Sequence, residues 1–410
     1  MTADPATQAR AFPFVVEGLR LDPLYDRLRR EEPVLRVRLP FGEQAWLVTR
    51  YQDAKFVLVD QRFSREAMHG RDVPRSMPYN STTGIVTMDP PQHSRVRTLV
   101  ARAFTQRRAE ALRPRTIEVA ESLLDDLVAA GPVQDLVAGY SLPLTNTVIS
   151  EVLGIPRDDQ DQFREWSDLA LSSAVSPERS EEVAGQMWDY LEGLLRRRRT
   201  ERTDDVLGAM VTKGEADLSE PELIMLAMTV LVAGYETTAS HIPNFAFVLL
   251  TNQDLLDALR GDPELMPAAV EELLRWVPLE AGAGLPRYAT EDVEVGGVLI
   301  RAGEPVLVDP AAANHDPAAF GCPERVDFHR PENPHLAFSH GPHHCLGASV
   351  ARMVLQVALD RLLARLPELH LAVPADELVW KTQQLIRGLT ALPVAWRAAT
   401  SPPNHPAPAR

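Results

Sequence analysis

Phe338–Gly347 reads FSHGPHHCLG and holds Cys345, one of two cysteines in a chain of 410 residues. His340, His343 and His344 crowd the thiol, Gly341 and Gly347 bracket it, and Phe338 opens the run. Three chemistries suit a lone cysteine in such a loop. One is an inert buried thiol, a common fate of free cysteine. A second is zinc, but structural zinc takes four ligands in paired clusters, and no second Cys/His cluster supplies the remainder. The third is a single axial thiolate on a haem iron. That role needs a deprotonated sulfur on a rigid loop at a fixed distance from a flat ring. The glycines permit a close backbone approach. A helix starting after Cys345 aims free amides and its positive dipole end at the sulfur, which favours thiolate over thiol. Phe338 is placed to pack on the ring side of the loop.

Downstream of the thiol, Leu346, Val350, Met353, Val354 and Val357 recur at helical steps. Val183, Met187, Tyr190, Leu191 and Leu194 do the same within 181–195. Another helix begins at SEPE, where Ser219 is an N-cap, Glu222 its capping-box partner, and Pro221 sits in the tolerant first turn. The run that follows is apolar nearly all round, which predicts a helix buried through the middle of the protein. AGYETT, residues 233–238, interrupts it with a glycine, a charge at Glu236 and two threonines able to bond back to carbonyls. Pro243 removes one more amide hydrogen bond. A helix built against its own propensity marks either a site or a solvent-filled kink. Strand signals are few. VLRVRL and AWLVT flank PFGEQ as a hairpin, VEVGGVLI is a second hairpin with a two-residue turn, and 306–308 and 392–396 add short strands.

The 42 basic and 57 acidic residues leave a net charge of -15, which disfavours nucleic acid or an anionic membrane as the main partner. MTADPATQARAFPF lacks a basic-then-apolar signal pattern. The apolar run from Leu223 to Gly234 is shorter than the ~20 residues of a membrane span. Two cysteines make no disulfide framework. The expectation is a reduced, cytoplasmic, monomeric protein with one domain over 1–400 and a disordered tail at 401–410. No Gly-rich dinucleotide fingerprint is present, so electrons come from outside the chain.

Phe338, Gly341, His343, Cys345 and Gly347 fit the phenylalanine-x-x-glycine-x-basic-x-cysteine-x-glycine loop of the cytochrome P450 family. The chain resembles that family in four more segments, in the expected order: DPPQHSRVR (89–97), AGYETT (233–238), EELLR (271–275) and PRYATEDVEVGG (286–297). The likeness runs from about Phe14 to Trp396. It implies a mainly α fold with small β-sheets and a long central helix over a haem b. It implies Cys345 as the axial iron ligand, with Phe338 and Gly347 beside the ring. His93, Arg97, Arg287 and His343 would clamp the propionates, and Gly234 would open a groove in the central helix. Glu236 would relay protons, and Thr237 would hold dioxygen and water. Glu272 and Arg275, three apart on a helix, pair; the family ties them to an arginine before the cysteine, here Arg325, with Arg330 the alternative.

The implied reaction inserts one oxygen atom of O2 into a substrate by hydroxylation or epoxidation, the thiolate pushing electron density toward O–O cleavage. NAD(P)H acts only indirectly, through ferredoxin reductase and ferredoxin. Arg95, Arg102, Arg107 and Arg108 are candidates for docking that acidic donor. The implied pocket walls are 63–86, 169–183, 231–237 and 280–285. The small residues of EAGAGL suggest a roomy cavity for a bulky apolar molecule of the polyketide or macrolide type. A peroxide-driven peroxygenase would not need Glu236 and Thr237, and a haem gas sensor would form no product. Two residues depart from the family pattern: His315, where relatives often carry arginine and where a surface or haem-edge contact would change, and Tyr235, where small or polar residues are frequent.

Overall fold

The computed structural model describes residues 9–397 apart from 15–17, 78–83, 171–173, 202, 204, 215–217, 281 and 383. The tail at 401–410 and parts of three expected pocket walls therefore lie outside the described residues. The helices are α1 (Leu24–Glu31), α2 (Tyr51–Val59), α3 (Gln92–Ala101), α4 (Gln106–Ala130), α5 (Leu142–Leu153), α6 (Gln160–Ala170), α7 (Pro177–Thr200), α8 (Val206–Gly214), α9 (Glu220–Leu250), α10 (Gln253–Gly261), α11 (Met266–Trp276), α12 (Pro310–Asn314) and α13 (Ala348–Arg365). The strands are β1 (Arg10–Ala11), β2 (Val34–Arg38), β3 (Ala45–Val48), β4 (Phe63–Ser64), β5 (Val133–Asp135), β6 (Arg287–Ala289), β7 (Val293–Val295), β8 (Val298–Ile300), β9 (Pro305–Val308), β10 (His370–Leu371) and β11 (Pro393–Ala395).

The capping box starts α9 where the sequence places it. The Ser219 amide donates to Glu222 Oε2 at 2.8 Å, relieving one of the helix's orphan donors. By length and a mean hydropathy of 1.4, α9 would suit a membrane span. Instead α5, α6, α7, α10 and α13 pack around it, and residues 238–246 are buried without a break. Before that run the cover is thinner: Ala233 is exposed, and Val230, Val232, Gly234 and Thr237 are among the half-buried residues. Residues 230, 233 and 237 share one helical face. An open face in the middle of an enclosed helix looks onto an interior cavity.

The main sheet has strand order β1-β2-β3-β9-β6-β4. The expected hairpin is β2–β3, antiparallel, with Arg36 opposite Trp46. In β7–β8, Gly296 and Gly297 have φ of +56° and +82°, the left-handed pair that a type I′ turn needs and glycine adopts freely. Pairing of β3 with β9, β9 with β6 and β6 with β4 matters most for function. It sets Phe63 opposite Ala289, and so brings Arg65, just past β4, close to Arg287 on β6.

Candidate active site

The thiol loop is held by its own backbone. The Cys345 amide donates to the Phe338 carbonyl at 2.8 Å. Gly341 has φ +70°, and a Cβ there would stand 2.8 Å from the Leu58 carbonyl oxygen, so this position admits only glycine. Gly347 differs: its φ is −83°, and a Cβ would meet nothing within 4 Å. It is not needed for the turn but keeps a space open next to the thiol. Phe338 is braced from behind, with the Arg352 guanidinium 4.5 Å from its ring and Arg352 clamped on Glu271 at 2.7 and 2.8 Å.

Cys345 keeps exposed surface although protein surrounds it; its open side faces the interior. Burial raises its pKa, while the Gly347 and Ala348 amides and the Arg97 and Arg352 charges pull it down. The helix-end effect expected from the sequence has the right sign but does not outweigh burial. A coordinated metal ion reverses that balance, because its charge deprotonates a ligating thiol.

Beside the loop lies a cluster of like charge. The His93 and His343 rings are 4.3 Å apart. Burial, then Arg65, His93, Arg287 and Arg97, push His343 down to about 2. Arg287 is 4% exposed, burial drives its pKa well down, and its Nη2 is buried without a partner. Asp89 is the carboxylate that opposes these charges on His93 and Arg287. Three arginines and two histidines surround one acid, which leaves an excess of positive charge there. The structure thus gathers His93, Arg97, Arg287 and His343 as the sequence suggests, though Arg97 also donates to the His344 carbonyl at 2.6 Å. Arg65 is an addition that no local pattern announced.

On the α9 side, Thr237 Oγ1 donates to the Ala233 carbonyl at 2.7 Å, within the open stripe. Glu236 is buried; its Oε1 accepts from Lys381 Nζ at 2.5 Å and from Ser240 Oγ at 3.1 Å, and its Oε2 has no partner. Lys381 reaches α9 because Gly388 permits it: the Lys381 amide bonds the Gly388 carbonyl, and a Cβ on Gly388 would stand 2.8 Å from Ser240 Oγ. Burial, then the Glu236 charge, raise Asp168 on α6 to about 6. Tyr235 is turned away from the cavity, buried toward Asp168 and Arg164, with an unpartnered hydroxyl.

Three expectations need correction. Gly234 does not open the groove: a Cβ there would lie 2.6 Å from Ile149 Cδ1, so it serves the close packing of α9 on α5, and Ala233 is the residue that leaves the face open. Arg330, not Arg325, completes the Glu272 pair. Glu272 accepts from Arg275 at 2.8 Å through two nitrogens, from Arg330 at 3.0 and 3.2 Å, from Asn333 at 3.1 Å and from the Asp327 amide at 2.9 Å. Arg325 points outward and offers its carbonyl to Arg275. His315 does not lie at the surface; it is 2% exposed, bonds the Ala311 carbonyl through Nδ1, and burial lowers it to about 4. Of the proposed docking arginines, Arg95 is paired with Glu222 at 2.8 Å, Arg107 and Arg108 are exposed, and the Arg102 side chain lies outside the described residues.

Residues 12–175 and 178–370 match the sequence model of the family described as Cytochrome P450. The chain is 50% identical over 395 residues to the mycinamicin IV hydroxylase/epoxidase of Micromonospora griseorubida, covering 95% of this chain and 100% of that protein. It is 48% identical over 396 residues to the nocardicin C N-oxygenase of Nocardia uniformis subsp. tsuyamanensis, covering 95% and 99%. A solved structure of the mixed-function P450 MycG superposes with a TM-score of 0.90 at 50% identity, covering 95% of this chain and 100% of that one.

Proposed function

The chain belongs to the cytochrome P450 family and is a monooxygenase that uses haem b and O2, and from that premise we propose that Cys345 is the axial thiolate and that the cavity along α9 takes a bulky, largely apolar polyketide or macrolide. The carrying observation is the match between residues and cofactor. One enclosed thiol faces an interior cavity, with five mutually repelling basic side chains beside it and an orphaned Arg287 Nη2. A flat iron ring bearing two carboxylates fits both at once. Arg65, Arg97, Arg287, His93 and His343 would hold the carboxylates, because a buried cation without a partner is costly.

When bound, the haem activates O2 for insertion of one oxygen atom into the substrate. The chain supplies the surroundings. Lys381 fixes Glu236 by one oxygen and leaves Oε2 free to take up and hand on a proton. Thr237 Oγ1, tethered to the Ala233 carbonyl, offers a hydroxyl on the open face. The apolar wall of α9 keeps bulk water from the reacting atoms. The similarity to a mycinamicin IV hydroxylase/epoxidase supports the substrate class, and exposed Arg107 and Arg108 suit an acidic ferredoxin.

The test is the reduced, carbon-monoxide difference spectrum of the holoprotein, followed by spin-state titration with macrolides, monoterpenes and fatty acids. A Soret band typical of thiolate ligation, and a high-spin shift with macrolides, are expected. Absence of that band sinks the ligand assignment. Tight high-spin binding confined to the small ligands sinks the substrate class.

A further inference from the structure

We infer that Arg65 is a positioning residue that ties one wall of the cavity to the cofactor: one arm of its guanidinium holds the Val86 carbonyl, and the rest serves a ring carboxylate. This rests on the haem reading above. Antiparallel pairing sets Phe63 opposite Ala289 and Ser64 opposite Tyr288, and the next step of that register sets Arg65 opposite Arg287. Like charges directly across a sheet repel. Asp89 relieves them only in part. Its Oδ1 accepts the Arg65 amide at 3.0 Å, and its Oδ2 accepts the Ser64 hydroxyl and the Glu66 amide. Arg65 Nε and Arg287 Nη2 are buried without a partner. The same residues are fastened to the thiol loop. The Asp89 carbonyl accepts the His93 amide at 2.9 Å, and the His93 ring stands 4.3 Å from that of His343, two residues before Cys345. An anion held between Arg65 and Arg287 therefore lies beside the group that Cys345 binds.

The other arm reaches the cavity wall. Arg65 Nη1 donates to the Val86 carbonyl at 2.8 Å. Val86 is the middle of a short helical turn, Ile85–Thr87, introduced by Gly84 with φ +94°. Within it the Thr87 amide and hydroxyl both donate to the Gly84 carbonyl, at 3.1 and 3.0 Å. Those bonds shape the turn but do not fasten it to its neighbours. Gly84 lies against α9, since a Cβ there would stand 3.4 Å from Thr229 Oγ1 and 3.6 Å from Met225 Cε. Thr229, Ala233 and Thr237 follow one another at four-residue steps along α9. The turn thus abuts the open face one helical turn before Ala233. Ile85 packs into the core and His69 Nε2 stands 3.5 Å from Thr87 Oγ1, but Arg65 grips the backbone at the centre of the turn.

A guanidinium is a rigid planar fork. A carboxylate on one edge fixes its plane, and so fixes where Nη1 points. With that carboxylate in place, the repulsion from Arg287 is relieved and the grip on Val86 is held. Without it, the repulsion turns the guanidinium aside, and the turn keeps its apolar anchor alone. The wall at 84–88 therefore closes on α9 as the cofactor docks.

The experiment compares the protein loaded with haem b and with haem b dimethyl ester, whose carboxylates are blocked. Amide hydrogen exchange is read in peptides covering 84–88. In the wild-type chain, exchange there is expected to rise at least about threefold with the ester, while the β7–β8 hairpin is unchanged. Arg65→Gln raises it by a similar factor with haem b, and the ester then adds nothing, the non-additivity of two changes that act on one contact. Equal exchange with the two haems in the wild type, or a rise with the ester that survives in Arg65→Gln, overturns the tether. A rise that includes the β7–β8 hairpin also overturns it, because the whole chain has then loosened. Where the ester does not load, Arg65→Gln with haem b decides alone, and unchanged exchange at 84–88 overturns the tether. The carbon-monoxide band is recorded on the same samples. Unchanged exchange with a thiolate band present overturns the tether alone; a wild-type protein without that band overturns the ligand assignment and the tether together.

Discussion

Glu272 and Glu280 lie eight residues apart, and the fold treats them in opposite ways. Glu272, 1% exposed, receives hydrogen bonds from Arg275, Arg330, Asn333 and the Asp327 amide. Burial works against its charge, but those donors hold its pKa below the ordinary carboxylate value. Glu280 has no such partner among the described residues, and burial pushes it up to about 7. The same contrast separates whole regions. Behind the thiol loop, Arg275 and Arg330 pair with Glu272, and Arg352 pairs with Glu271. Elsewhere, Arg287 Nη2 and Glu236 Oε2 are buried without a partner, and the Glu280 carboxylate has none among the described residues. Structural charge is neutralised by the protein itself; functional charge is left for its ligand.

Four variants break or sharpen this contrast, in decreasing order of effect. Cys345→Ser removes the one donor that the cavity cannot replace, so the thiolate Soret band and product formation are both lost; difference spectroscopy and turnover assays read this. Glu272→Gln strikes the satisfied region and strands two buried guanidinium groups. Breaking such a pair costs about 3–5 kcal/mol, seen as a lower urea midpoint with unchanged slope. Thr237→Ala strikes the unsatisfied region without that cost. Stability changes by less than about 1 kcal/mol, while product per NAD(P)H falls several-fold as hydrogen peroxide is released. Normal coupling in that variant would remove Thr237 from proton handling.

The smallest effect concerns the sign of the pH dependence. Although burial acts against it, hydrogen bonds from His335 and Arg352 hold Glu271 down to about 2. A depressed carboxyl adds stability above its unfolded pKa near 4.5, and that contribution is lost as pH falls toward 2. Asp168 is opposite: raised to about 6 by burial and Glu236, it adds stability in acid that is lost as pH rises from about 4 through 6. Asp168→Asn flattens that upper limb, by less than about 1 kcal/mol because the side chain is partly solvated. Denaturant midpoints across pH 3–8 measure both limbs.

Much of this was legible along the chain because the signals are local. The Ser219–Glu222 box, the Gly296–Gly297 turn and the helical period after Cys345 depend on neighbours within a few residues, and each formed where expected. The wrong choice between Arg325 and Arg330 is instructive: both are loop arginines close to Asp327, and only the closed turn shows that one offers its carbonyl while the other reaches Glu272. Gly234 misled for a related reason. A glycine in a helix announces a close approach but not from which side, and here the approach is by Ile149.

The sequence by itself determined the thiol loop, the long apolar helix with its polar interruption, and the pairing of Glu272 with Arg275, since loop chemistry, capping and three-residue spacing act at short range. Only the tertiary structure decided that Arg65 joins Arg287, that Lys381 holds Glu236, and that Glu280 has no partner. The first comes from strand order β9-β6-β4, and the second from the C-terminal segment lying against α9. The third follows from the charges that burial gathers around Glu280. Coulomb energies depend on distance through space and on the solvent that packing removes, and neither quantity is written along the chain.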